Sequence, residues 1–254
     1  QIRKWLFTII NGDLEFNIDR QEKVVVMEKL LNLPQSALNI EEEIVWFSPR
    51  DTGIHLYHNN IIGVGLNKTD NGINFVSLFD LHKGIELLNR SNTSIFKLMI
   101  SIGKDTIKLD NESSWEKTEI KWDKNEKLSL LTLNFKDAKD SKLNGLSVVC
   151  EVEFHNNLTH WGLETKLPEK GFSLLETEFP SIKAGPIGQV PEENVLHYPK
   201  ASGIASQSPY TKEINYSEVY PNWRATYQML GLYNKQGGLY IASHDPTGSV
   251  KKIS

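Results

Sequence analysis

Seven histidines, thirty-two acidic residues and a single cysteine bound the chemistry open to this 254-residue chain. Two histidine pairs, His55 with His58 and His155 with His160, invite a metal reading. A three-residue or five-residue step along one strand places both members of a pair on opposite faces, so neither pair converges without a sharp bend, and no metal site is expected. Zinc motifs of the His-Glu-x-x-His and Cys-x-x-Cys types are absent, as are a Gly-x-Ser-x-Gly elbow and a phosphate-cradling glycine loop. No cofactor is expected. Hydrolysis of a glycosidic bond needs two carboxylates flanking it. Spacing singles out no pair, but Glu178 and Asp245 draw notice because each abuts a proline turn. For Asp245 the competing role is structural, with its side chain bonding backbone NH groups of its own turn. Sugar recognition needs aromatic faces for the apolar side of a pyranose and polar groups for its hydroxyls. Trp223, Tyr220, Tyr198, Tyr210 and His244 supply both, provided the long segment before them folds over the last hairpin; packing onto a sheet edge is the plainer role for such rings.

These residues need a scaffold, and composition limits which one. A hydrophobic share of 39% with 24% charged residues is ordinary for a folded protein. A chain of this length buries roughly 70 to 75% of its unfolded surface and needs neither disulfide nor metal for stability. Net charge is −4, with lysine and arginine dispersed, which argues against nucleic acid; membrane spanning is not expected either. The run Glu41-Glu42-Glu43 reads as a solvated turn. Cys150 alternates with Val148 and Val152 and reads as a small core residue. Residues 1–10 lack the pattern of a signal peptide, although a leader removed earlier leaves secreted, periplasmic and cytoplasmic locations all open. Asn67, Asn92, Asn111, Asn157 and Asn215 stand in Asn-x-Ser/Thr sequons.

The order of elements is that of an all-β protein. Asn11-Gly12 is a hairpin signal, followed by Leu14, Phe16 and Ile18 alternating with polar residues. Residues 24–33 fit strand or helix and are assigned strand. Short apolar runs then recur at 44–47, 54–58, 61–66, 73–79, 85–88 and 95–102, separated by glycine, proline and asparagine turns. Further strands are predicted at 119–122, 128–135, 146–154, 158–167 and 172–179. In 146–154, Val148, Cys150, Val152 and Phe154 share one face. Residues 180–219 lose this rhythm and are expected to be irregular. The last hairpin pairs 225–233 with 239–243, and glycine at Gly237-Gly238 is expected to supply positive φ at the turn. No composition shift marks a second domain, so residues 1–254 are read as one unit.

The stretch from Tyr220 to Lys252 carries Tyr220-Pro221, an aromatic at Trp223, Gln228-Met229, Gly238-Leu239-Tyr240-Ile241-Ala242 and His244-Asp245-Pro246. It resembles the end of the N-terminal β-domain in a group of large, mostly bacterial glycoside-hydrolase-like proteins, distantly similar to endo-α-N-acetylgalactosaminidases. Glu178-Phe179-Pro180 and His197-Tyr198-Pro199 are similar to the same group. The resemblance implies a galactose-mutarotase-like supersandwich of antiparallel sheets, followed in such proteins by a (β/α)₈ barrel that bears the catalytic carboxylates. It implies an accessory domain without activity of its own, whose partners are that downstream barrel and carbohydrate, with Trp223, His244, Asp245, Tyr198 and Glu178 facing the sugar. Two alternatives stand beside it: an autonomous carbohydrate-binding module, and an aldose mutarotase or epimerase. Mutarotases use a histidine pair and a glutamate in characteristic strand contexts, and the sequence does not place those motifs. Shared fold alone does not carry function.

Overall fold

The computed structural model describes residues 38–39, 54–59, 61–81, 83–89, 94–113, 115–125, 129–155, 158–168, 171–188, 190–212, 214, 216–244 and 250–253. The Asn11-Gly12 hairpin, the strands expected at 24–33 and 44–47, the Glu41-Glu42-Glu43 run and the sequons at Asn92, Asn157 and Asn215 lie outside these residues. The strands are β1 (Leu38–Asn39), β2 (Ile54–His58), β3 (Ile62–Lys68), β4 (Ile73–Asp80), β5 (Ile85–Glu86), β6 (Lys97–Ile102), β7 (Asp105–Asp110), β8 (Trp115–Lys124) and β9 (Ser129–Ala138). They continue as β10 (Ser147–His155), β11 (Leu158–Lys166), β12 (Phe172–Glu178), β13 (Val195–Tyr198), β14 (Ile204–Gln207), β15 (Glu218–Tyr220), β16 (Met229–Tyr233), β17 (Gly238–Ala242) and β18 (Lys251–Ile253). Two short 3-10 turns, Ser141–Leu143 and Pro191–Glu193, are the helical elements among the described residues. The protein is all-β, and among the described residues the named strands pair antiparallel except β1 with β2.

Two compact units emerge, one comprising Gln1–Gly84 with Arg90–Lys183 and the other Ile85–Asn89 with Ala184–Ser254. The division follows the loss of apolar rhythm after Pro180. In the first unit β1, β2, β3 and β4 are successive neighbours, β11-β10-β9-β8 form a second sheet, and β12-β6-β7 a third. Alternation builds its core. Val148, Cys150, Val152 and Phe154 of β10 and Leu131, Leu133 and Phe135 of β9 are buried, each large apolar side chain contributing about 1.5 to 3 kcal/mol. Phe96, Trp115 and Phe135 form an aromatic cluster with ring centroids 5.1 to 6.2 Å apart. Trp122 reaches Tyr57 of β2, and Trp161 reaches Phe75 of β4, so rings of one sheet meet rings of another. Burial, and secondarily the charge of Glu151, pushes the Cys150 thiol far above its usual range.

Buried polar groups in this unit are bonded. Asn111 donates from Nδ2 to the Ile73 carbonyl at 2.7 Å and accepts at Oδ1 from the Ile95 NH at 2.7 Å. Its amide, fully buried, is spoken for at both ends and cannot serve as a glycosylation acceptor. The ladder between β12 and β6 carries a bulge, because Leu174 opposes Ile100 while Glu176 opposes the next residue, Met99. Leu175 is the extra residue, and 56% of it is exposed.

In the second unit β14-β13-β16-β17 form one sheet and β15-β18 a two-stranded ribbon. Residues 180–219, expected to be irregular, contain β13 and β14 and the start of β15; their strands are too short to show periodicity in sequence. The closing hairpin is present, but β16 begins at Met229 rather than Ala225, since Ala225 is engaged in bridges with Lys200, Ala201 and Asn222. Its turn also differs from expectation. Neither Gly237 nor Gly238 has positive φ. Instead Asn234 Oδ1 accepts from the NH groups of Gln236 at 2.8 Å and Gly237 at 3.2 Å, an Asx turn. Glycine is needed at 238 for space, because a Cβ there would stand 2.6 Å from Tyr233 Cβ.

Candidate functional site

Trp223 occupies the tip of a four-residue turn after β15 and is 73% exposed. The turn is stiff for identifiable reasons. Asn222 and Ala225 exchange backbone hydrogen bonds of 3.3 and 3.0 Å, and Asn222 Oδ1 accepts from the Arg224 NH at 3.2 Å. The Arg224 carbonyl accepts from the Ala201 NH at 3.1 Å, while buried Ala225 anchors the turn below. Arg224 holds its guanidinium 4.9 Å from the indole centroid, a cation–π contact that orients the ring while leaving most of it to solvent. Tyr220 carries Lys251 Nζ 5.8 Å from its centroid. An exposed, oriented indole with a guanidinium beside it has the chemistry to stack on an apolar ring face and bond hydroxyls.

The other sequence candidates have different surroundings. Tyr198 is only 2% exposed, its ring stacks on Tyr216 at 4.8 Å, and its hydroxyl donates to the Ile253 carbonyl at 2.5 Å. It is a core residue with no face to offer a sugar, and burial raises its pKa. Tyr210 spends its hydroxyl on the carbonyls of Gly185 at 2.6 Å and Ala184 at 3.1 Å, and burial pushes that hydroxyl up to about 12. His244 is exposed just beyond β17. Asp245 lies outside the described residues. Tyr227 places its hydroxyl 2.7 Å from His197 Nε2. That hydroxyl also lies against Gly203, where φ is +97° and a Cβ would collide with it.

Glu178 belongs to the first unit, at the end of β12. Its carboxylate accepts from Lys97 Nζ at 2.9 Å and from the Ser181 hydroxyl at 2.5 Å. It borders a cleft of about 360 Å³ on the β12-β6-β7 sheet, with Lys97, Met99, Lys108, Asp110 and Glu176 among its walls. Register explains the pattern. Asp110, Lys97 and Glu178 lie in one cross-strand row, and Lys108, Met99 and Glu176 lie two residues along, in the next row of the same face. The cleft is a checkerboard of charge without an aromatic ring, and exposed pairs of this kind contribute about 0 to 1 kcal/mol.

One constellation runs against expectation. His155 and His160 do converge, with ring centroids 4.8 Å apart. They occupy two strands, not one: His155 ends β10, β11 begins at Leu158, and Glu153 faces His160 directly across the ladder. The single-strand argument failed because the two histidines lie on separate strands that pair antiparallel. Glu153 Oε1 lies 3.0 Å from His155 Nε2. The paired runs at 146–154 and 158–167 were the signal that could have revealed this triad. His55 is aligned with neighbouring Tyr57 at 6.5 Å between rings, and burial, then the charge of Lys124, lowers His58 to about 3.

No protein-family model matches the chain, and no curated protein matches it.

Proposed function

We propose that this chain is a non-catalytic carbohydrate-binding β-domain that accompanies a glycoside hydrolase, with Trp223 as its sugar platform. The observation that carries the reading is the presentation of Trp223: an indole left exposed on a turn fixed by four hydrogen bonds and a guanidinium. Large aromatic side chains normally bury their area. One held in place without burial has its ordering cost met before a ligand arrives, which favours binding. The accessory role draws on the resemblance of Tyr220 to Lys252 to galactose-mutarotase-like domains that form one wall of a cleft beside a catalytic barrel. The autonomous binding module is the same platform acting without a barrel.

Calorimetric titration of the 254-residue chain with a broad oligosaccharide panel tests the platform. Binding of at least one glycan, weakened about tenfold or more by Trp223→Ala with the circular dichroism spectrum unchanged, is expected. A panel without heat, or binding indifferent to Trp223→Ala, would overturn the reading. The non-catalytic part is tested with α- and β-linked aryl glycosides and by polarimetry of galactose; hydrolysis or anomer interconversion by the chain itself would replace it with an enzyme.

A further inference from the structure

We propose that Glu153, His155 and His160 form a binding site for a divalent first-row transition metal such as zinc. The three side chains each offer one ligand atom, and these atoms all lie within 4.8 Å of one another. Geometry gathers them without help from a flexible loop. Glu153 and His155 are two residues apart on β10 and share a face of the sheet, while His160 of β11 stands opposite Glu153 in the antiparallel register. The opposite face of β10 is the buried one, carrying Val152 and Phe154, so the triad is fixed to the solvent side by the same alternation that builds the core.

A tetrahedral zinc ion with bonds of about 2.0 to 2.1 Å holds its ligand atoms about 3.4 Å apart. The Glu153–His155 separation of 3.0 Å is already near that value. Rotation of exposed side chains closes the remainder without moving a strand. Two imidazoles and one carboxylate favour zinc, cobalt, nickel or copper over magnesium and calcium, which prefer an all-oxygen shell. Three protein ligands leave a fourth position for water or an external donor. Space exists for it on the same face, where Gly162 follows two residues after His160 and a Cβ built on it would meet nothing within 4 Å. The ion pair and ring contact alone would make this an ordinary polar patch; the convergence of three ligand atoms of suitable type distinguishes it. The proposal is independent of the Trp223 platform, which lies in the other unit.

The test uses the full chain, stripped with a chelator and titrated with cobalt(II), whose visible absorption reports nitrogen and oxygen ligation, and with zinc by competition. One equivalent is expected, with affinity reduced about tenfold or more in each of Glu153→Gln, His155→Ala and His160→Ala, and unchanged in His55→Ala. Zinc should also raise the melting temperature of the wild type and not that of His160→Ala. All three ligands are solvent-facing, so circular dichroism should confirm that the variants fold, and three separate substitutions guard against one that does not. Absence of stoichiometric binding in the wild type, or wild-type affinity in the three variants, would overturn the site.

Discussion

The two units satisfy their backbones with different materials. In the first, β8 and β9 run ten residues and β10 and β11 nine, and long ladders pair main-chain groups with one another while alternate side chains fill a core. In the second, no described strand exceeds five residues, and side chains take over. Asn194 alone accepts from the Ile187 NH and donates to the carbonyls of Ile187, Val190 and Pro191. Tyr198, Tyr210, Thr226 and Asn234 each bond main-chain carbonyls as well. Periodic burial specifies one unit, and individual polar side chains specify the other.

The contrast is broken most severely in the first core. Phe135→Ala removes a ring that contacts both Phe96 and Trp115 and should cost about 3 to 5 kcal/mol in urea unfolding. Asn194→Ala should cost about 3 kcal/mol although it deletes no apolar surface, because fully buried backbone groups lose their partner. A loss below about 0.5 kcal/mol at Asn194 would erase the distinction between the units. The first unit also holds a titratable exception to its apolar rule. His58 is buried and lowered to about 3 from its usual 6.5 by desolvation first and Lys124 second. Between these values the unfolded chain binds the extra proton, so the stability present above pH 6.5 is lost as pH falls toward 3. The loss should reach about 2 kcal/mol between roughly pH 7.5 and pH 5, and His58→Leu should remove that share of the pH dependence. The smallest effect is expected at the closing turn, where Asn234→Ala should cost about 1 kcal/mol.

The same contrast governs what could be read in advance. Strands at 54–58, 73–79 and 146–154 were legible because each alternates over five or more residues against a core. β7 was missed: only Ile107 and Leu109 are apolar in Asp105–Asp110, and acidic residues bound it at both ends. β13 and β14 were missed because four residues cannot display a period, and what fixes them is tertiary. Tyr198 shows the same limit at the level of a site. Its sequence context suggested a ligand contact, whereas its hydroxyl closes onto a residue fifty-five positions away, at Ile253. His155 and His160 were misjudged for a different reason. Spacing along a chain says nothing about distance across two paired strands, and the strands expected at 146–154 and 158–167 were not paired with each other in that argument.

The bulge at Leu175 bears on solubility. Among the described residues β12 is an outer strand of its sheet, and it leaves Leu174 and Leu175 exposed. A straight, apolar outer strand invites pairing with a second molecule and growth into aggregates. The extra residue interrupts the repeat that such pairing requires, and Glu176 and Glu178 beyond it would place like charges against their copies. Deleting Leu175 would restore an even ladder, and with it an open template for self-association.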